Sequence, residues 1–276
     1  MLAALIIVFR EVFEAGLIVG IVLAVTGGVP RRNRWIGGGV LAGALVACLV
    51  AAFAGALSQL FEGMGQELFN AAILGVAVIM LTWHNIWMSR HGKEIAGDMR
   101  AVGQAVAEGD KPLMALAVVV GVAVLREGSE VALFLYGVAA SDGGSALSLL
   151  TGGLLGLLLG AGVCLLTYFG LMRIPARALF ATTTVLITLL AAGMAAQAVA
   201  FLQRASWLTS LDTVVWDSAW LLSETSIGGR ALHTLVGYTD QPTQMQLLVY
   251  TAVILATVVL MRLTGSQRSG HAVATG

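Results

Sequence analysis

Hydrophobic positions along this chain fall in unbroken runs, not in alternation. Seven runs, 2–26, 35–60, 68–88, 113–140, 146–172, 179–203 and 245–263, each hold about the 20 residues that an α-helix needs to cross a hydrocarbon core of roughly 30 Å. None shows the period-two pattern of a membrane β-barrel strand. The pattern predicts an all-α, polytopic membrane protein with seven transmembrane helices. Small residues recur inside the runs, as at Gly152, Gly153, Gly156, Gly160 and Gly162, and such spacing lets helices pack closely. Between runs, Ile95, Met99, Val102 and Val106 share one helical face, which predicts a short amphipathic helix on the membrane surface. The longest connection, 204–244, carries Trp207, Trp216 and Trp220, as an interfacial belt would. Its stretch 208–222, interrupted by Asp212 and Asp217, is too short to span and predicts an interfacial or re-entrant segment.

Two runs break the pattern in the same way. Arg10-Glu11-Val12-Phe13-Glu14 lies inside the first and Arg126-Glu127-Gly128-Ser129-Glu130 inside the fourth. A charge near the middle of a spanning helix costs about 2.5–3.5 kcal/mol, so six standing alone would cost roughly 15–20 kcal/mol. They must be paired, bound to something or facing water. The copies are offset by 116 residues with three runs per interval, an odd number, so the second crosses the membrane in the opposite sense. Cys48 and Cys164 share that offset. The expected plan is two inverted three-helix units, 1–90 and 113–204, joined by a linker at 91–112. An outer loop at 205–244 and a seventh span at 245–263 lie outside the repeat. All of it forms a single transmembrane domain, 1–276.

Composition agrees with the runs. Apolar residues make up 58% of the 276 and charged residues only 11%, about half the charge of a soluble domain. The net charge of zero gives no reason to expect nucleic acid as a partner. Two cysteines without a CxxC spacing suggest buried small hydrophobes, not a redox pair or zinc site. The first residues lack a basic stretch before the apolar run, so a cleaved signal peptide is not expected. Charge does orient the chain. Arg31, Arg32, Arg34, Arg90, Lys93, Arg100, Lys111, Arg173, Arg177, Arg262 and Arg268 fall on one side, against Arg204 and Arg230 on the other. The positive-inside rule then predicts an outer N-terminus and a cytoplasmic C-terminus in the cytoplasmic membrane.

At about 100° per residue, Arg10, Glu11 and Glu14 lie within an arc of roughly 100°, as do Arg126, Glu127 and Glu130. If the repeats face each other, four carboxylates meet two guanidinium groups and leave two negative charges. A hard cation fits: iron in either state, manganese, calcium or magnesium. Copper(I) does not, since thiolates and a methionine cluster are missing from the motif runs. Each arginine can hold a carboxylate by paired hydrogen bonds. A helix lock is the rival reading for one Arg–Glu pair; a duplicated cluster at mid-membrane favours an ion path.

At these residues the chain resembles the oxidase-dependent iron transporter family, the bacterial and fungal high-affinity iron permeases. That family carries a paired Arg-Glu-Gly-Leu-Glu signature in its first and fourth spans. Here Val12 and Phe13 replace the Gly-Leu of the first copy, Ser129 replaces the Leu of the second, and every charged position is kept. The resemblance runs along the whole chain, through the basic loop after the third run and Gly229-Arg230…His233…Gly237-Tyr238. It implies a permease and not an enzyme, with iron as cargo and no cofactor. It implies metal held by Glu11, Glu14, Glu127 and Glu130, with Arg10 and Arg126 balancing charge. It also implies a separate outer partner, an oxidase or an iron-binding protein, that prepares or delivers the iron.

His84, Glu62, Glu67, Asp217 and Glu224 are further candidates, for the path into or out of the site. His84, between Trp83 and Trp87 near the cytoplasmic end of its run, also reads as an interfacial histidine, and the acidic residues as solvated loop positions. Two other functions fit the charges: a permease for manganese or lead on the same carboxylates, and a proton-coupled exporter. A haem-bearing electron-transfer protein would need paired axial histidines within spans, and only His84 of four histidines lies in one.

Overall fold

The computed structural model describes residues 1–59, 66–142, 146–170 and 176–266. The chain is all-helical there, apart from an isolated bridge between Val214 and Thr243. Its helices are α1 (Leu2–Val25), α2 (Arg32–Gln59), α3 (Gln66–Glu108), α4 (Met114–Asp142), α5 (Ala146–Tyr168), α6 (Ala176–Arg204), α7 (Ile227–Val236) and α8 (Gln244–Ser266). Five are long and apolar enough to cross a membrane, at Arg32–Phe53, Glu67–Met88, Ala146–Tyr168, Ala181–Arg204 and Gln244–Leu263. Helices α1 and α4 are as long, but each carries the three charges of its motif.

The outside of the bundle is its greasy side. Leu41, Leu45, Leu49 and Phe53 stand exposed along α2, and Leu147, Leu150, Leu154 and Leu158 along α5. Contiguous apolar surface of this extent suits lipid and not water. Inside, Ile7 of α1, Leu74 and Leu81 of α3, Phe134 and Val138 of α4 and Ile187 and Met194 of α6 form one buried cluster. The inner bundle is therefore α1, α3, α4 and α6.

The outer helices exchange partners. α2 packs along α4, α5 along α1, and α3 along α6, so each helix of the first half leans mainly on one of the second. Glycines allow the first two contacts. A Cβ at Gly39 would stand 2.5 Å from the Ala117 carbonyl oxygen, and one at Gly156 equally close to that of Leu5. Buried Gly152, Gly156 and Gly160 recur every four residues and form the face that α5 lays on α1.

Two expectations change. The stretch 91–108 is not a separate surface helix but the continuation of α3, which runs unbroken for 43 residues. At 1.5 Å per residue that is about 65 Å, twice the hydrocarbon thickness. Nothing stops it, since no proline lies between Gln66 and Glu108. Its apolar face meets protein: Val106 is buried with Val22, Ile36, Leu116 and Val120, Met99 packs on them, and Gly103 lies beside Val25 and Thr26. The nearby α1–α2 turn is closed by Arg32, whose Nη1 donates to the Leu23 carbonyl at 2.6 Å, so the basic turn and the end of α3 share one end of the molecule.

The second change concerns the α6–α8 connection. Residues 208–222 are irregular, and the piece that turns inward is α7, capped by Ser226 Oγ on the Gly229 amide and closed by Gly237 at φ 71°. Gly237 packs on Gly193, where a Cβ would lie 2.5 Å from the Gly237 Cα. Gly193 is about 16 Å from the Arg204 end of α6. Tyr250 Oη fastens the turn by donating to the Val236 carbonyl at 2.6 Å. Trp207, Trp216 and Trp220 stay exposed.

Candidate metal site

Within each motif the i, i+4 spacing makes the same clasp. Arg10 Nε lies 2.9 Å from Glu14 Oε1, and Arg126 Nε 3.2 Å from Glu130 Oε1. The intervening carboxylates sit farther off, Glu11 Oε1 3.7 Å from Arg10 Nη1 and Glu127 Oε1 3.9 Å from Arg126 Nε. In each motif one carboxylate is clasped and the other stands off its arginine.

The clasps differ in their surroundings. Arg10 is sealed at 2% exposure, whereas Arg126 is 34% exposed and its guanidinium lies 4.0 Å over the Trp87 ring. Val12 and Phe13, the departures from the family signature, are accommodated by α5 and by α1 itself. Val12 fits because α5 presents Gly160 to it. In the second motif the small partner is on the motif side, with Gly128 against Ala47 of α2. Phe13 is buried and stacks on Phe9, centroids 6.2 Å apart. Ser129 Oγ donates to the Leu125 carbonyl at 2.7 Å and so satisfies its own hydroxyl.

The tertiary structure adds a residue that the motifs do not contain. His84 of α3 is buried between the two motifs, not at an interface. Its Nε2 is 3.6 Å from Glu14 Oε2 and 3.9 Å from Glu11 Oε2, and its Nδ1 meets Glu130 Oε2. Phe134 holds the ring edge-on at 6.3 Å. Glu11, His84, Glu127 and Glu130 offer donor atoms that all lie within 4.8 Å of one another. Opposite donors around an ion bound at roughly 2.1 Å are about 4.2 Å apart, so a small inward shift closes the cluster on a cation. Both oxygens of Glu11 and Oε2 of Glu127 are buried without a hydrogen-bond partner among the described residues. Buried carboxylate oxygens in that condition are costly, and a cation is the natural remedy.

Two cavities are each lined by part of the cluster. One, of about 750 Å³, is lined by Glu11, Val12, Ala47, Glu127, Gly128 and Leu154 among others, and extends along α4 to Ala139. The other, of about 540 Å³, is lined by Met80, Trp83, His84, Trp87, Arg126 and Glu130 among others. Glu11 and Glu127 face the first cavity; His84 and Glu130 face the second.

The remaining candidates lie elsewhere. Glu67 lies in the first turn of α3, about 25 Å along the helix from His84. Glu62 lies outside the described residues. Asp217 accepts from the Ala219 amide and from Gln241 Nε2, both at 2.9 Å. Glu224 Oε1 is 3.2 Å from His233 Nδ1, and its amide donates to Asp240 Oδ2 at 3.1 Å. Both hold the α6–α8 connection together. The inward placement of His84 had one signal in the sequence: a histidine inside an apolar run, in a chain with four carboxylates inside such runs.

Comparison with known proteins gives the same direction. Residues 1–266 match the Iron permease FTR1 family. A protein of Yersinia pestis named ferrous iron permease EfeU is 29% identical over 99% of this chain and 98% of its own. Proteins of the same name are 30% identical in Escherichia coli O6:H1, over 94% of both chains, and in Escherichia coli O157:H7, over 95% of this chain and 96% of theirs. No solved structure matches. The match spans both charged motifs, the helices that carry them and the α6–α8 connection, and the chain belongs to the Iron permease FTR1 family.

Proposed function

We propose that this protein imports iron across the cytoplasmic membrane through a mid-membrane carboxylate site built from its two Arg-Glu-x-x-Glu motifs, at 10–14 and 126–130. One observation carries the reading: the buried cluster stands between two cavities, with different donors facing each. A bound ion there would have donors on both cavities, Glu11 and Glu127 on one and His84 and Glu130 on the other. Helices α1 and α4 cross the membrane as the two remaining spans, their charges compensated by the clasps and by the cargo. The reciprocal pairing of α2 with α4 and of α5 with α1 supports two inverted repeats, α1–α3 and α4–α6, with α8 outside them.

Iron is cargo and not a cofactor, and the reading assigns the chain no catalysis. The name of the relatives, ferrous iron permease, favours the iron(II) ion as the species carried. An outer oxidase or iron-binding protein would prepare or deliver it. The N-terminus is outside and the basic ends of α1–α2 and α3 are cytoplasmic.

Radiolabelled iron uptake into vesicles tests the site. Glu127→Gln, at matched membrane levels, should abolish uptake that the wild type performs; wild-type uptake by the variant would refute the carboxylate site. Topology is tested separately. A reporter joined after Leu263 should be active only in the cytoplasm, and activity outside would overturn both the orientation and the inverted repeat.

A further inference from the structure

We infer that His84 is a nitrogen ligand that sets which metals the site accepts, and that Glu14 is its positioning residue and not a ligand. The inference rests on the carboxylate-site reading and deepens it. The donor atoms that converge within 4.8 Å come from Glu11, Glu127, Glu130 and His84, and Glu14 is not among them. Glu14 is clasped instead by Arg10 at 2.9 Å, and its other oxygen faces His84 Nε2 at 3.6 Å. A metal-bound histidine is ordinarily held by a carboxylate on its second ring nitrogen, which fixes tautomer and ring orientation. Here Glu14 Oε2 stands on the Nε2 side of the ring at 3.6 Å, while Nδ1 turns to Glu130, where the other donors gather. Arg10, Glu14 and His84 thus lie in a buried row that leads to the cluster of donors. Phe134 against the ring edge keeps the imidazole from swinging out.

The chemistry of the donor set then decides the cargo. Three carboxylates alone suit magnesium, calcium and manganese, whereas an imidazole nitrogen shifts preference towards iron, nickel, copper and zinc. The duplication did not supply this residue twice: the offset of 116 that relates the motifs carries His84 onto Ala200. Selectivity therefore comes from one repeat only, while charge comes from both.

The test is a competition series in vesicles, with iron(II) as the labelled ion and manganese(II), calcium and zinc(II) as competitors. Wild-type uptake should be inhibited by zinc at far lower concentration than by manganese. His84→Gln should bring the manganese and zinc half-inhibitory concentrations at least about tenfold closer, the smaller end of the effect of disturbing a metal ligand set. Glu14→Gln keeps a side-chain oxygen of the same size beside the Nε2 edge of His84, so it should lower uptake in part and preserve the wild-type ranking. An unchanged ranking in His84→Gln overturns the inference, as does a Glu14→Gln variant as dead as Glu127→Gln. Should His84→Gln fail to reach the membrane, X-ray absorption of wild-type protein carrying one equivalent of iron(II) decides. Outer-shell scattering from an imidazole ring is expected, and its absence refutes the ligand role. Failure of the carboxylate site itself would show differently, as normal uptake by Glu127→Gln.

Discussion

Glu11→Gln and Glu130→Gln each abolish iron uptake, and the double variant is no worse than either alone. The expectation follows from one ion being shared between α1 and α4. Each substitution keeps side-chain size but removes one negative charge from a cluster whose four glutamates and two arginines leave two. At an effective dielectric of about 20, one charge at 4 Å from another is worth about 4 kcal/mol, and more against a doubly charged ion. A loss of that size weakens binding by roughly a thousandfold. Residues that act as a unit do not add, so the second change finds little left to remove. Two separate sites would behave otherwise, with partial uptake in each single variant and none in the double. The folded protein should survive, because Glu11→Gln relieves a buried carboxylate whose oxygens lack hydrogen-bond partners, and Glu130→Gln keeps an oxygen that can accept from Arg126 Nε. Uptake per unit of membrane protein, measured on both singles and the double, separates the cases. Substantial uptake by the double variant would end the shared-site idea.

The two arginines should fail differently when replaced by alanine, although their motifs read alike. Arg10 is sealed, and its loss strands Glu14 and Glu11 in the interior. Breaking a buried pair by removing one partner costs about 3–5 kcal/mol, a large share of a typical folding free energy. Arg10→Ala should therefore lower the amount of protein in the membrane as well as its uptake. Arg126 is one-third exposed at the second cavity, rests on Trp87, and shares Glu130 with His84. Arg126→Ala should leave membrane levels close to wild type and reduce uptake only in part. Arg126→Lys should not fully restore it, since an ammonium loses the planar stacking on Trp87. Quantitative immunoblots beside uptake would show the contrast. Equal losses of protein in both alanine variants would mean that burial plays no part.

Much was settled by residues that act within their own helix. Long apolar runs cross membranes because backbone groups must be satisfied internally, and that is visible in any one run. Charges inside two such runs announce a site, since the hydrocarbon core makes them costly unless they are paired or bound. The i, i+4 clasps of Arg10 with Glu14 and Arg126 with Glu130 follow from helical geometry alone. The family signature, carried by the same residues, was legible for the same reason.

What escaped depends on how helices turn towards one another. His84 lies in a run whose apolar residues surround the helix, so nothing in its sequence neighbourhood says which face looks inward. Only the packing of α3 on α4 and α1 brings it to the carboxylates. That Val12 has room was not visible in its own helix, because the space comes from Gly160 of another helix. The unequal burial of Arg10 and Arg126 has the same origin, because the neighbouring helices close over Arg10 and leave Arg126 at the wall of the second cavity. The extension of α3 to Glu108 and the inward turn of α7 likewise rest on contacts with Val25 and Gly193, far away in the chain. A helix determines where its own side chains point about its axis; its neighbours determine what those side chains meet.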